Sequence, residues 1–357
     1  MPNILCPYDL CRIEQEDLSE VVCPELLRPL PRLYLTHGLH APTDIVTCIG
    51  RTGNGKTTLL MSMLGTLIDR PDHLGSHAAV GTYAAADETF DDNSSAIAWA
   101  RQAYGDFLAH GILPKGTPTE RQPVPFYILG CPPDGRRRNL FLFDNGGEAF
   151  RDIHLMTEFA YPTAQARVVW IVASLDREGV VERDEDAQHG ALGSNLWGLL
   201  DAYAGAREEI RHQKNLPPYS PQALLVIFTK ADARGHLFPE LESALERETL
   251  MSTQEERHAD SNLMREALLG SATGALRRAE SDFDRVEFCV VSATGGAVAG
   301  QWETLVPNPR LVLNPLAWTW ELTDWLDHND AHLRRRHRRG NRKSIFGLGS
   351  SLLRNGR

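Results

Sequence analysis

The sequence predicts an α/β protein whose mostly parallel central sheet is covered by helices on both faces. Short apolar runs typical of buried strands alternate with helical segments along most of the chain. One such strand, Asp44 to Ile49, leads directly into Gly50–Thr57, which fits G-x-x-x-x-G-K-[ST] at every fixed position. Polar clusters follow several other strands, and the carboxyl ends of strands are where sheets of this class bind ligands.

The segment Gly50–Thr57 has the composition of a loop that holds phosphate groups. Glycines let backbone N–H groups point toward phosphate oxygens, and the N-terminus of the next helix adds partial positive charge. Apolar residues at helical spacing predict that helix: Leu60, Met63, Leu64 and Leu67. We expect Lys56 to reach the β- and γ-phosphates and the Thr57 hydroxyl to bind Mg²⁺. The residues expected to line the nucleotide here are Gly50, Arg51, Thr52, Gly53, Asn54, Gly55, Lys56, Thr57 and Thr58. The fold is therefore expected to be that of a P-loop NTPase, with a chance glycine-rich turn as the alternative.

Composition is ordinary for a soluble globular protein, with 42% hydrophobic and 24% charged residues among 357. No apolar run reaches 18 residues, and the N-terminus lacks a basic region followed by an apolar core. We therefore expect no transmembrane helix, no secretory signal and a cytoplasmic location. The net charge is −10.

The basic charge is concentrated in residues 334–357, which hold nine Lys or Arg and no acidic residue. The rest of the chain carries 28 basic and 47 acidic residues. An acidic body argues against a broad nucleic-acid-binding face. For the tail, a disordered solvated terminus is favoured over contact with nucleic acid or an anionic membrane.

The N-terminal residues 1–40 are expected to form a small extension resembling a zinc ribbon. Cys6 and Cys23 each precede a proline, and with Cys11 these cysteines suggest a zinc knuckle. Four residues separate the first pair, rather than two, and the fourth ligand would have to be His37 or His40. The alternative is a degenerate ribbon that packs without metal. Residues 41–333 then form the main domain, with an insertion around residues 69–123.

Three further polar clusters follow predicted strands. The runs 124–131 and 139–144 are separated by a strong turn signal and predict a hairpin, whose second strand ends in Asp144-Asn145-Gly146-Gly147-Glu148. A third apolar strand leads into Thr229-Lys230-Ala231-Asp232. The last strand leads into Ser292-Ala293-Thr294. Four clusters at the carboxyl ends of strands in one sheet are expected to converge on one site.

This ordered set resembles the motifs of GTPases of the TRAFAC class, which includes Ras-like and translation-factor enzymes. Those motifs are a phosphate loop, a mobile threonine, D-x-x-G, [NT]-K-x-D and S-A-x, and the resemblance covers about residues 44–300. D-x-x-G and S-A-x are weak motifs singly, whereas the ordered set is specific.

The resemblance implies a role for each residue of these motifs. Asp144 would bind Mg²⁺ and the Gly147 N–H the γ-phosphate. Asp232 would accept from N1 and N2 of guanine and so select GTP over ATP. Lys230 would lie along the base, the Thr229 hydroxyl would tie its motif to the phosphate loop, and the Ala293 N–H would contact the guanine oxygen, with Ser292 and Thr294 beside it.

Two positions are less regular. The threonine that completes Mg²⁺ coordination should precede the strand at 124–131; Thr119 is preferred over Thr117, and Thr82 is a third option that lies far from that strand. Glu148 stands where Ras-like enzymes carry a water-orienting Gln, so slow intrinsic hydrolysis is expected.

The D-x-G-G-E pattern, the Cys-Pro N-terminus and the Asn-Pro-Leu-x-Trp segment from Asn314 resemble the bacterial double-GTPase group, predicted components of multi-gene conflict or defence systems. That resemblance implies a switch coupled to a protein effector or activating partner. The alternatives are a guanine-nucleotide-bound scaffold that hardly turns over and a P-loop ATPase.

Overall fold

The computed structural model describes residues 3–6, 10–14, 21–24, 30, 34–35, 39–69, 81–84, 96–114, 125–130, 138–145, 161–175, 191–217, 219–231, 239–295 and 308–352. The strands are β1 (Asn3–Leu5), β2 (Arg12–Glu14), β3 (Thr43–Ile49), β4 (Gly81–Ala84), β5 (Pro125–Gly130), β6 (Arg138–Asp144), β7 (Val168–Ser174), β8 (Ala223–Thr229) and β9 (Arg285–Val290). The α-helices are α1 (Lys56–Asp69), α2 (Ala96–His110), α3 (Ala191–Gln213), α4 (Pro239–Glu246), α5 (Gln254–Ser271), α6 (Thr273–Asp282) and α7 (Asn314–Leu352).

Seven strands form the main sheet in the order β4-β5-β6-β3-β7-β8-β9. The five strands from β6 to β9 in that order are parallel, while β5 is antiparallel to both β4 and β6. This confirms the predicted α/β fold with a mostly parallel sheet. The β5–β6 hairpin is also present. Strands β6, β7 and β8 are buried at every position, which explains why their sequences are continuous apolar runs rather than alternating ones.

Helices cover both faces of the sheet and create two apolar layers. Alternate residues of each strand face opposite layers, so Ile45 of β3 belongs to the layer that includes α3, α5 and α6, whereas its neighbour Val46 belongs to the layer that includes α1 and α7. Tryptophans of the last helix, α7, lie in the second layer. There Trp318 is fully buried, and Trp170 of β7 donates a hydrogen bond to Thr319 at 2.9 Å.

The described part of the insertion at 69–123 contains β4 and α2. Helix α2 packs on α1 through Tyr104 and Phe107. Gly65 of α1 permits this contact, because a Cβ at that position would lie 2.2 Å from the Tyr104 ring. The short strand β4 was not predicted from the sequence.

The N-terminal hairpin and the C-terminal helix complete the fold. Strands β1 and β2 form a separate two-stranded antiparallel sheet. Helix α7 continues to Leu352, which differs from the disorder predicted for residues 334–357. At the start of that segment, Arg334 pairs with Asp330 one turn earlier at 2.8 Å, a spacing that favours helix over coil. Among the described residues, no helix is long and apolar enough to cross a bilayer.

Candidate nucleotide-binding site

The parallel strands bring the polar clusters to one edge of the sheet. In the register of the sheet, Cys48 near the end of β3 is opposite Asp144, the last residue of β6. On the other side of the sheet centre, Ser174 ends β7 opposite Thr229, which ends β8. The phosphate loop leaves β3 between these two pairs, so the loop lies beside both clusters.

Glycine is required at three positions of the loop for two different reasons. Gly53 and Gly55 have φ of 88° and 75°, in the left-handed region that residues with a Cβ rarely adopt. Gly50 instead passes close to β7, where a Cβ would lie 2.7 Å from the Val172 carbonyl oxygen. The loop leads into Lys56, the first residue of α1. The loop backbone therefore lies at a helix N-terminus, where anions bind favourably.

Two hydrogen bonds fix the loop to the neighbouring strands. The Asn54 side-chain amide donates to the Val172 carbonyl oxygen at 2.8 Å. In return, the Thr229 hydroxyl donates to the Asn54 carbonyl oxygen at 2.6 Å. Thr229 is almost fully buried at the end of β8, and its hydroxyl makes the contact with the phosphate loop that the sequence analysis expected. The motif that follows β8 is thereby connected to the loop that follows β3.

Lys56 and Asp144 form a buried ion pair beneath the loop. The Lys56 Nζ lies 2.6 Å from Asp144 Oδ1, and the two side chains are 5% and 9% exposed. A charge-assisted bond of this length between opposite charges offsets much of the cost of burying each one. The pair thus holds an ammonium and a carboxylate side by side at the first residue of α1.

Asn145 is a residue of the site that sequence reasoning missed. Its side-chain amide donates to the Thr47 hydroxyl of β3 at 2.6 Å, and its backbone N–H donates to the Cys48 carbonyl at 3.3 Å. Thr47 in turn lies 3.3 Å from the Thr163 hydroxyl. These bonds hold the chain directly after Asp144. An asparagine inside D-x-x-G was the one available signal, but its partners are about 100 residues away.

The cluster after β9 is connected to α1. The Ser62 hydroxyl donates to the Ala293 carbonyl oxygen at 2.8 Å. The Gly295 N–H donates to the Ser292 hydroxyl at 2.9 Å, which closes a tight turn around Thr294. Gly295 has φ of 70°, and a Cβ there would lie 1.9 Å from the Asn308 carbonyl oxygen. The turn therefore has a fixed position beside the helix that begins at the phosphate loop.

Lys230 and Arg51 lie at the periphery of the site. Lys230 follows β8 with φ of 56°, a left-handed conformation that turns the chain sharply at the strand end. Arg51 is exposed, and its Nη2 lies against α3, where a Cβ on Gly198 would be only 2.9 Å from it. Thr52 is exposed as well, while Thr57 and Thr58 are partly buried in the first turn of α1.

Burial suppresses the reactivity of Cys48, which lies near Asp144. Cys48 is fully buried in β3, and this burial raises the pKa of its thiol, with the nearby Asp144 charge acting in the same direction. The thiol is therefore protonated and behaves as a small apolar side chain. The same reasoning applies to Cys289 in β9, whose pKa burial also raises.

Several expected site residues fall outside the described residues: Thr117, Thr119, Gly147, Glu148 and Asp232. Thr82 is described at the backbone level, and the expectation that it lies far from the 124–131 strand was wrong. β4 is the edge strand beside β5, and Thr82 pairs with Ile128. Separation along the chain misled the prediction, because the intervening segment returns the chain to the sheet.

The three N-terminal cysteines converge in space. The sulfur atoms of Cys6, Cys11 and Cys23 all lie within 4.8 Å of one another. His40 is described and is not part of this group, whereas His37 lies outside the described residues.

The Double-GTPase 2 family model matches residues 44–269, which is more than half of the chain. The chain belongs to the Double-GTPase 2 family. Family membership supports a GTP-binding protein, in agreement with a phosphate loop whose neighbours are the D-x-x-G, T-K-x-D and S-A-x clusters.

A crystal structure of a bacterial selenocysteine-specific elongation factor is similar at 12% identity, with a TM-score of 0.31, over 71% of this chain and 26% of that chain. The Double-GTPase 2 chain thus spans about a quarter of that factor's length. No curated protein matches the sequence.

Proposed function

We propose that this Double-GTPase 2 protein binds GTP and GDP with Mg²⁺ and hydrolyses GTP slowly, as a switch read by a protein partner. The observation that carries the proposal is the buried Lys56–Asp144 pair beneath a loop that Thr229 holds in position. A P-loop lysine and a strand-end aspartate are the two charges that phosphoryl transfer requires on the protein side.

The phosphate loop and the start of α1 would form the end of the site that binds the phosphates. Backbone N–H groups of Gly50–Thr57 would surround the β-phosphate, and Lys56 would exchange its contact with Asp144 for one with the phosphates. Mg²⁺ neutralises charge that develops on the phosphate oxygens. The Thr57 hydroxyl and the Asp144 carboxylate would hold it, since both are oxygen donors of the type this ion prefers.

The clusters after β8 and β9 would form the end of the site that binds the guanine base. Asp232 would accept from the N1 and N2 donors of guanine, a donor pair that adenine lacks. Lys230 would lie along the base, and the Ala293 N–H would meet the guanine oxygen. The bonds from Thr229 to Asn54 and from Ser62 to Ala293 support this arrangement, because they connect both base-binding clusters to the phosphate loop.

The switch would be formed by Gly147 and the segment that follows it. A backbone N–H there would meet the γ-phosphate only in the GTP state, so hydrolysis would release the segment. Asn145 supports this proposal, because its bonds to β3 anchor the start of the segment. Thr119 would complete Mg²⁺ coordination. The partner, and the defence setting implied by the family resemblance, belong to the same proposal.

Glu148 favours a second candidate, a guanine-nucleotide-bound scaffold with negligible turnover. A carboxylate beside the γ-phosphate repels it and orients water less simply than an amide does. A P-loop ATPase is the third candidate and is distinguished by base preference.

Single-turnover hydrolysis of radiolabelled GTP separates the first two candidates. The wild type without a partner should hydrolyse GTP at about 10⁻³ s⁻¹ or more slowly, the range of unstimulated GTPases. Asp144→Asn, measured at saturating Mg²⁺, is the control and should abolish this rate. Bound GTP that persists unchanged in the wild type would support the scaffold, and an unstimulated rate near 1 s⁻¹ would contradict the slow switch.

A further inference from the structure

The N-terminal segment brings three thiols to one point. Cys6 and Cys23 are fully buried and Cys11 is partly buried, and all three sulfurs lie within 4.8 Å of one another. None of these cysteines is in a disulfide. Three sulfurs bound to one tetrahedral zinc at about 2.3 Å would be separated by about 3.8 Å. The observed upper limit is therefore close to the geometry of a three-thiolate zinc site.

The β1–β2 hairpin places the first two thiols. Cys6 and Cys11 follow and precede the paired strands, and two backbone bonds close the loop between them: Cys6 N–H to the Cys11 carbonyl at 2.8 Å and Leu10 N–H to the Cys6 carbonyl at 3.0 Å. Leu10 has φ of 60°, which a leucine rarely adopts and which the surrounding structure must impose. The loop is thus held in a conformation that points both ends toward one centre.

The third thiol comes from a separate loop. Cys23 lies between Val21 and Leu30, which are joined by a backbone hydrogen bond of 2.8 Å from the Leu30 N–H to the Val21 carbonyl. Structural zinc sites commonly take cysteines from two separate segments of the chain. Here the second segment offers one cysteine, Cys23, instead of two.

We propose that Cys6, Cys11 and Cys23 bind one zinc ion as thiolates, and that the loaded site holds the N-terminal segment against the GTPase core. Soft thiolate ligands favour zinc over Mg²⁺ or Ca²⁺. A nitrogen or oxygen donor would take the fourth position of the tetrahedral ion. The bound metal releases the thiol protons and gives the centre a charge of −1.

The site is coupled to the core by packing. Cys6, Cys23 and Tyr34 belong to the same apolar layer as β3 and β6. The buried Tyr34 ring meets Phe141 of β6 edge-on, with 5.4 Å between centroids, and Phe141 pairs with Ile45 of β3. Strand β3 leads to the phosphate loop. Removal of the metal would therefore loosen a segment that covers the strand on which the nucleotide site is built.

Zinc content and coordination of the untagged full-length protein test the proposal without nucleotide, so the result is independent of GTPase activity. Mass spectrometry of the metal should give one zinc per chain, and X-ray absorption should give three sulfurs at about 2.3 Å with one nitrogen or oxygen. Less than about 0.2 zinc per chain after expression with added zinc, or fewer than three sulfur ligands, would overturn the proposal. So would a disulfide among the three cysteines, detected by differential alkylation.

Variants identify the ligands. Cys6→Ser, Cys11→Ser and Cys23→Ser should each reduce zinc content at least fivefold, whereas Cys289→Ala, which removes an equally buried thiol elsewhere, should retain it. A strong chelator should lower the melting temperature of the wild type and of Cys289→Ala but not that of Cys11→Ser. Full zinc content in Cys23→Ser would overturn the assignment. If a variant fails to fold, the wild-type absorption measurement still decides the proposal.

Discussion

Replacement of Thr229 by valine removes one hydroxyl and little volume. Thr229 is almost fully buried, and its hydroxyl donates to the Asn54 carbonyl at 2.6 Å. Valine leaves that carbonyl without this donor in a site that is only partly buried, so we expect a cost of about 1–2 kcal/mol. If nucleotide binding requires the loop conformation that the bond maintains, GDP affinity should fall about 5- to 30-fold.

The assay is calorimetric or fluorescent titration of GDP with Mg²⁺, accompanied by thermal denaturation. Thr229→Ser retains the hydroxyl and should keep GDP affinity within about threefold of the wild type. Thr229→Val should show the larger loss while remaining folded. Wild-type GDP affinity in the folded valine variant would refute the reasoning, because the bond to Asn54 would then make no contribution to the binding-competent loop.

Other variants test the remaining contacts. Asp144→Asn leaves the buried Lys56 ammonium without its charged partner and should destabilise the nucleotide-free protein by about 3 kcal/mol; an unchanged melting temperature would contradict a buried pair. Gly65→Ala introduces a Cβ 2.2 Å from the Tyr104 ring and should lower the free energy of unfolding by about 1–3 kcal/mol. In the control, Gly105→Ala, the added Cβ meets no atom within 4 Å, and the free energy of unfolding should rise by about 0.5–1 kcal/mol because alanine favours helix over glycine. Urea denaturation that moves both glycine variants in the same direction would contradict the α1–α2 contact. Since burial raises the pKa of the Cys48 thiol, iodoacetamide labelling of Cys48 in the native protein should stay slow from pH 7 to pH 9. Labelling as fast as in the urea-denatured protein would contradict a buried, protonated thiol.

The parts of the fold that were predictable are those encoded locally. The phosphate loop is contiguous, and its glycines at Gly53 and Gly55 correspond directly to left-handed backbone. Buried parallel strands such as β7 and β8 are continuous apolar runs, so their identity and the position of the polar residue after each one follow from the sequence. Convergence of those residues then follows from the parallel arrangement alone.

The parts that were missed depend on contacts between distant residues. The bond from Asn145 to Thr47 joins positions 98 residues apart, and no local pattern marks its two partners. The edge position of Thr82 depends on a chain reversal within the insertion. For the cysteines, the Cys-Pro pairs suggested a zinc knuckle despite irregular spacing, but the sequence did not show how the thiols meet. The pairing of β1 with β2 brings Cys6 and Cys11 together, and Cys23 joins them from another part of the chain.

Base preference tests the central claim most directly. Calorimetric binding of GDP, a non-hydrolysable GTP analogue and ADP should be measured with Mg²⁺ on the wild type, on Asp232→Ala and on Lys56→Ala. We expect tight guanine-nucleotide binding and no measurable ADP binding in the wild type, loss of guanine-nucleotide binding in Asp232→Ala, and weak binding of every nucleotide in Lys56→Ala. Equal binding of GDP and ADP, unchanged in Asp232→Ala, would contradict guanine recognition by the T-K-x-D motif and favour the ATPase.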